Sequence, residues 1–233
     1  MGENKINKKK ESDADNSAKN NRKNSKLVLV IIGPQGSGKG TQATLISEKF
    51  SVPRISSGDL LRKEVELGTP EGAEAEKYVR KGTLVPTELI TDILKARISV
   101  EDCAGGFIID GYPRKLEQAV ALDKLVKITD IILIDISDEE AIRRLSSRRQ
   151  CPKCGRIYGK DIPPAYDNVC DLDGTKLFVR NDDKPEAIRK RLEMYHTEID
   201  PIIEYYLRNH KLIRINGAQK AENVFQDILS SLS

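Results

Sequence analysis

No apolar run in this sequence is longer than the six residues Leu27 to Ile32. A membrane-spanning helix needs about 20 such residues, and a secretory leader needs a longer apolar centre than any segment here provides. Cysteine is scarce: of four, Cys103 stands alone, while Cys151, Cys154 and Cys170 cluster. In an intracellular chain that pattern points to metal before disulfide. Histidine is scarcer still, and His196 and His210, on or near the last long helical pattern, read as structural or surface residues. Cys103 reads as a reduced thiol without a role. There is no internal repeat.

One-sided charge is also missing from most of the chain. The formal net charge of +3 hides an asymmetry, because residues 2–26 hold eight Lys or Arg against four Asp or Glu, leaving 31 against 32 elsewhere. A case for nucleic-acid binding is therefore a case about the tail alone. Residues 1–26, built from Lys, Asn, Ser, Asp and Glu with Ile6 as the one large aliphatic side chain after Met1, cannot bury enough surface to offset their ordering entropy. The expectation is a disordered basic tail. Its four acids and single Arg argue against a transit peptide, so a cytoplasmic protein is expected.

What is present is a parallel-sheet pattern. Leu27 to Ile32 is a continuous, mostly branched run closed by Gly33-Pro34, as a strand buried on both faces requires. Phe107-Ile108-Ile109 before Asp110, Ile131 to Ile134 before Asp135, and the shorter Leu212 to Ile215 repeat the signature. Helical spacing intervenes: Leu45, Ile46 and Phe50 follow the first strand, and Ile188, Leu192, Tyr195, Ile199 and Ile202 follow Asp182-Asp183 and Pro185. Alternation of this kind gives an α/β fold with helices on both faces and ligand chemistry at the carboxyl ends of the strands. Residues 56–85, charged and Gly-punctuated, and residues 149–183, with three prolines, three glycines and three cysteines, break the alternation and read as insertions.

Gly33-Pro34-Gln35-Gly36-Ser37-Gly38-Lys39-Gly40-Thr41 carries the chemistry. Glycines let the backbone turn so that successive N–H groups point at phosphate oxygens, Lys39 reaches over them, and the following helix adds its dipole. Gly40 separates Lys39 from Thr41, where the strict pattern puts Ser or Thr directly after Lys. Cys151-Pro152-Lys153-Cys154, then Cys170 and, after two more residues, Asp173, match a tetrahedral zinc site made from two short knuckles. Asp171 competes for the fourth place but breaks the two-residue gap.

Gly-Lys-Gly-Thr resembles the loop of nucleoside monophosphate kinases, and the resemblance to adenylate kinases extends from about Leu27 to the C-terminus. Ser56-Ser57-Gly58-Asp59-Leu60-Leu61-Arg62 is similar to the segment that opens the monophosphate insertion, and Asp110-Gly111-Tyr112-Pro113-Arg114, with Gln118 beyond it, to the family's Asp-Gly-aromatic-Pro-Arg motif. The resemblance implies a P-loop nucleoside kinase core over 27–55, 86–148 and 184–233, an AMP-binding insertion over 56–85 and a zinc-binding lid over 149–183. It implies an ATP site of Gly36, Ser37, Gly38, Lys39, Gly40, Thr41, Arg144 and Arg148. The implied AMP site comprises Ser57, Arg62, Gly111, Arg114, Gln118, Arg180 and Arg191.

Lys39, Arg114, Arg148, Arg180 and Arg191 are then the catalytic cations. Asp110 orients the water shell of Mg²⁺ carried with ATP. Cys or Asp as fourth ligand of a structural zinc is likewise a feature of the lid-bearing members. The implied reaction moves a phosphoryl group from ATP to AMP and gives two ADP, in a monomer without nucleic-acid or membrane partners. Two alternatives remain at this level. One is a zinc-ribbon nucleic-acid binder, which Asp161, Asp167, Asp171 and Asp173 disfavour by interrupting any basic patch in the module. The other is a sister kinase using GTP or a pyrimidine monophosphate, which Gln118 disfavours because that position is typically Asn in pyrimidine kinases.

Overall fold

A computed structural model describes residues 26–80, 83–180, 183–209 and 212–232. All but Lys26 of the expected tail, together with Asp182 and His210, lie outside the described residues.

Five strands form one parallel sheet: β1 (Leu27–Ile32), β2 (Arg54–Ser56), β3 (Gly106–Asp110), β4 (Asp130–Asp135) and β7 (Leu212–Asn216), in the order β2-β3-β1-β4-β7. Side chains alternate across a strand, and each central strand divides its apolar residues between two cores. Val28, Val30 and Ile32 join Phe107, Ile109, Ile131 and Leu133 on one face. Leu29 and Ile31 join Ile108, Ile132 and Ile134 on the other. This double burial is why the strands read as unbroken apolar runs.

The first face is covered by α4 (Thr87–Ile98), α5 (Leu116–Leu125) and the long α7 (Pro185–Asn209) through Ile90, Leu94, Ala119, Leu122, Ile199, Ile202 and Tyr206. The second is covered by α1 (Lys39–Phe50) and α8 (Ala221–Ser231) through Ala43, Ile46, Val224 and Ile228. Edge strand β7 contributes Ile213 and Ile215 to the second core and exposes Arg214, so it keeps a half-buried pattern.

The two segments that broke the alternation have distinct structures. Within 56–85, α2 (Ser57–Leu67) and α3 (Pro70–Val79) pack against each other. Their contact depends on Gly72, where a Cβ would sit 2.0 Å from the carbonyl oxygen of Glu64. The Ser56 hydroxyl caps α2 by accepting from the Asp59 N–H, and Thr69 caps α3 by accepting from Gly72. Val85, placed at the end of this insertion from sequence, joins the main core.

Beyond α6 (Asp138–Ser147), residues 149–183 contain no α-helix among the described residues. They hold a short antiparallel pair, β5 (Arg149–Gln150) with β6 (Ile157–Tyr158), and a separate cluster of Cys151, Tyr158, Cys170 and Leu177. No helix among the described residues is long and apolar enough to cross a membrane.

Candidate active site

The loop between β1 and α1 sits at the carboxyl edge of the sheet, where its glycines meet conformational demands other residues cannot. Gly36 and Gly38 adopt φ of 86° and 91°, and a Cβ on Gly33 would lie 2.2 Å from the Ile134 carbonyl oxygen on β4. Gly38 is the N-cap of α1, and Lys39 begins the helix. The Lys39 ammonium donates to the carbonyls of Gly33 and Pro34, each at 2.7 Å, and so closes the loop on itself.

Burial lowers the Lys39 pKa to about 8. Asp110 opposes that shift, whereas the positive charges of Arg114, Arg191 and Arg148 reinforce it. A lysine that feels the charge of three arginines as well as of Asp110 lies in a field matched in sign to phosphates. Ser37 adds an unsatisfied donor, its hydroxyl being buried without a hydrogen-bond partner among the described residues. Thr41, on the first turn of α1, is half-buried.

Asp110 ends β3 beside this loop. Its carboxylate is nearly buried, and Oδ2 lies 3.5 Å from where a Gly40 Cβ would stand. A carboxylate facing the phosphate loop fits the hydration shell of a magnesium ion brought in with a nucleotide. Among the described contacts it also carries an ion pair that the sequence did not foretell, with Arg54 at 2.6 Å.

The expected monophosphate side assembles around Gly111, whose φ is 79°. Ser57 donates to the Gly111 carbonyl at 2.7 Å, and Arg114 Nε donates to the same oxygen at 2.8 Å. Gln118 is buried, and its Oε1 accepts the Arg114 N–H at 2.7 Å. That bond occupies one lone pair of the amide oxygen and leaves the amide NH₂ as a donor for a base. Arg62 is more than half exposed and pairs with Asp59.

On the other side, Arg144 donates to Glu140 at 2.6 Å and to the Gly217 carbonyl at 2.9 Å, and approaches Gly36 at 3.5 Å. The fork from Arg143, with help from Arg144, holds Glu140 down at about 2. Arg148 engages the buried Asp183 through two nitrogens, and Arg191 stands 3.8 Å from the same carboxylate. Arg180 is half-buried, at the end of the segment that leads to α7.

In residues 149–183 the four expected ligands come together. One ligand atom from each of Cys151, Cys154, Cys170 and Asp173 lies within 4.8 Å of every other. Cys151 Sγ is 3.4 Å from an Asp173 oxygen, and the sulfurs of Cys154 and Cys170 are 3.5 Å apart. Separations of this size suit edges of a tetrahedron around one zinc.

Each knuckle closes on a glycine in the left-handed region. Gly155 donates to the Cys151 carbonyl and Gly174 to the Cys170 carbonyl. Thr175 holds the Asp173 carboxyl well below its usual range by donating to it. Asp171, the competing ligand, is turned away and accepts from the Ala165 N–H at 2.8 Å. Three thiols and a carboxylate at contact distance fit a structural zinc, because four such groups ionise together only around a cation.

Comparison with known proteins identifies the family. A family model described as adenylate kinase matches residues 31–211. The chain is 47% identical to an adenylate kinase of Methanothrix thermoacetophila over 213 residues, covering 89% of this chain and 99% of that one. It is 44% identical to adenylate kinases of Clostridium tetani and Acetivibrio thermocellus, covering 88% and 89% of this chain and 98% of each of theirs. The chain belongs to the adenylate kinase family.

In this adenylate kinase family member, two residues at the site carry no signal in the sequence. Asp183, flanked by charged residues, looked like a helix-entry acid, yet it is the buried anchor of Arg148. Arg54 follows Pro53 on a strand too short to show a period. Neither has a local signature, since each finds its partner 35 or 56 positions away.

Proposed function

We propose that this chain catalyses the reversible, magnesium-dependent transfer of the terminal phosphoryl group of ATP to AMP, giving two ADP, and so balances adenine nucleotides. The observation that carries this reading is the meeting of Lys39, Arg114, Arg148 and Arg191 at one phosphate loop, with Gly111 and Ser57 on one flank and Arg144 on the other.

ATP would lie on the loop residues Gly36 to Thr41, with Arg144 and Arg148 along its flank. AMP would be held by Ser57, Arg62, Gly111, Arg114 and Gln118. Arg180 and Arg191 would bridge the two phosphate groups. Phosphoryl transfer depends on positioning and on neutralising charge, so Lys39 and the arginines suffice without a proton-transfer base. Magnesium carried with ATP supplies further neutralisation of the phosphates, and Asp110 and Thr41 would hold its hydration shell.

Residues 56–85 and 149–183 act as the two covers, an AMP-binding insertion and a lid, excluding water that would otherwise take the phosphoryl group. Closure of this kind is an established adenylate kinase behaviour. Zinc on Cys151, Cys154, Cys170 and Asp173 is structural, because the protein fills all four tetrahedral positions. Monomeric action is supported by the presence of both nucleotide sides in one chain. Cytoplasmic residence is supported by three thiols kept for a metal, which suits a reducing compartment.

A coupled assay with ATP, AMP and Mg²⁺ tests the reading, run beside GTP as donor and pyrimidine monophosphates as acceptors. ATP and AMP should give the highest kcat/KM, and Lys39→Met should lower turnover by orders of magnitude in a folded protein. A folded, metal-loaded parent without ATP–AMP exchange would overturn it.

A further inference from the structure

Arg54 lies on β2, where Ser56 is in register with Asp110 of β3. Its guanidinium rests on the Asp110 carboxylate: Nη2 and Nε donate to Oδ2 at 2.6 and 3.2 Å, while Nη1 reaches Thr44 Oγ1 on α1 at 3.5 Å. The same group borders the phosphate loop, since a Cβ on Gly40 would lie 3.0 Å from Nη2. The Asp110 side chain is 10% exposed and that of Arg54 31%, so solvent screens the pair only in part.

An arginine keeps its charge at every working pH and binds carboxylates in a fixed orientation. The carboxylate facing the metal position therefore already holds a permanent cation. A guanidinium and a hydrated divalent ion beside one carboxylate repel each other and share its charge.

We infer that Arg54 is a positioning residue that competes with magnesium for Asp110 and thereby sets how much metal the enzyme requires. This rests on the assignment of Asp110 to the metal's hydration shell. Arg54 is not assigned to the reacting phosphates. It acts through the carboxylate, weakening metal binding while fixing where the carboxylate stands.

Mn²⁺ is a suitable probe, titrated into the enzyme bound to a bisubstrate analogue in which phosphates join two adenosines, with the free-ion electron paramagnetic resonance signal as readout. Arg54→Gln should bind Mn²⁺ about threefold more tightly, and the Mg²⁺ concentration for half-maximal rate should fall by a similar factor. Arg54→Lys, which keeps the charge, should stay closer to the parent than Arg54→Gln on both measures.

Unchanged or weaker Mn²⁺ binding in folded Arg54→Gln overturns the inference. Arg54→Met serves if the Gln variant does not fold, and loss of fold in both would show a purely structural role. Asp110→Asn separates the metal assignment from the competition. If it leaves Mn²⁺ affinity unchanged, the assignment of Asp110 itself fails. If it weakens Mn²⁺ binding while Arg54→Gln changes nothing, only the competition is wrong.

Discussion

Removing the Asp183 carboxylate should destabilise the protein measurably, because among the described residues that buried group pairs with two arginines, Arg148 and Arg191. Its side chain is 0% exposed, the Arg148 side chain beside it is 13% exposed, and Arg191 stands 3.8 Å away. Truncating one member of a buried ion pair costs about 3–5 kcal/mol, mostly from leaving the other charge without its partner. Arg148 keeps some access to water, which favours the lower figure, about 3 kcal/mol for Asp183→Ala. In a chain of this length each kcal/mol moves Tm by about 2–4 °C, so the expected fall is about 6–12 °C.

Asp183→Asn preserves shape and one acceptor oxygen. It should lose about 1–2 kcal/mol, the usual worth of replacing a charged hydrogen bond by a neutral one. Thermal melts followed by circular dichroism, with urea midpoints at unchanged m, measure both variants. A cycle with Arg148→Ala isolates the pair, and the double variant should be less destabilised than the two single losses together. An Asp183→Ala protein that melts within about 1 °C of the parent would refute the reasoning.

Three further outcomes are expected. Arg114→Ala should raise the KM for AMP about tenfold or more while moving that for ATP far less, as loss of a charge-assisted phosphate contact requires; equal losses would contradict the assignment of Arg114 to the acceptor side. Because burial and three neighbouring arginines lower the Lys39 pKa to about 8, the free enzyme loses that cation as pH rises through this value. Then kcat/KM for ATP should fall above about pH 8, and kcat should fall only at higher pH, because bound phosphate restores the proton; a kcat/KM profile flat to about pH 10 would contradict the assignment. Metal analysis should give one zinc per chain, chelation should lower Tm while phosphotransfer well below that midpoint largely persists, and Cys151→Ser should lose the metal that Asp173→Cys retains. Finding no stoichiometric metal would defeat the structural-zinc account.

The parts legible in the sequence were those whose physics is local. Leu27 to Ile32 reads as a doubly buried strand because both its faces meet apolar cores, and Gly36 and Gly38 announce a turn that needs positive φ. The lid ligands were legible because each knuckle keeps both of its ligands within four residues and closes on its own glycine. Strand β2 was not legible, since Arg-Ile-Ser is too short to show a period and is defined by pairing with β3. Individual arginines were equally opaque. Arg144 and Arg148 sit at the end of a basic helical stretch that looks solvated, and the fold alone gives one the Gly217 carbonyl and the other Asp183. Their roles could be proposed from sequence only through resemblance.

Following the label from ATP carrying ³²P in its terminal phosphate tests the central claim most directly. Incubated with AMP, Mg²⁺ and the enzyme, and quenched early, the label should appear in the β-phosphate of ADP newly formed from AMP, with little in inorganic phosphate, because Lys39 and the arginines hold donor and acceptor together away from water. Label released chiefly as inorganic phosphate at the same AMP concentration would contradict it, and would make the site a hydrolase.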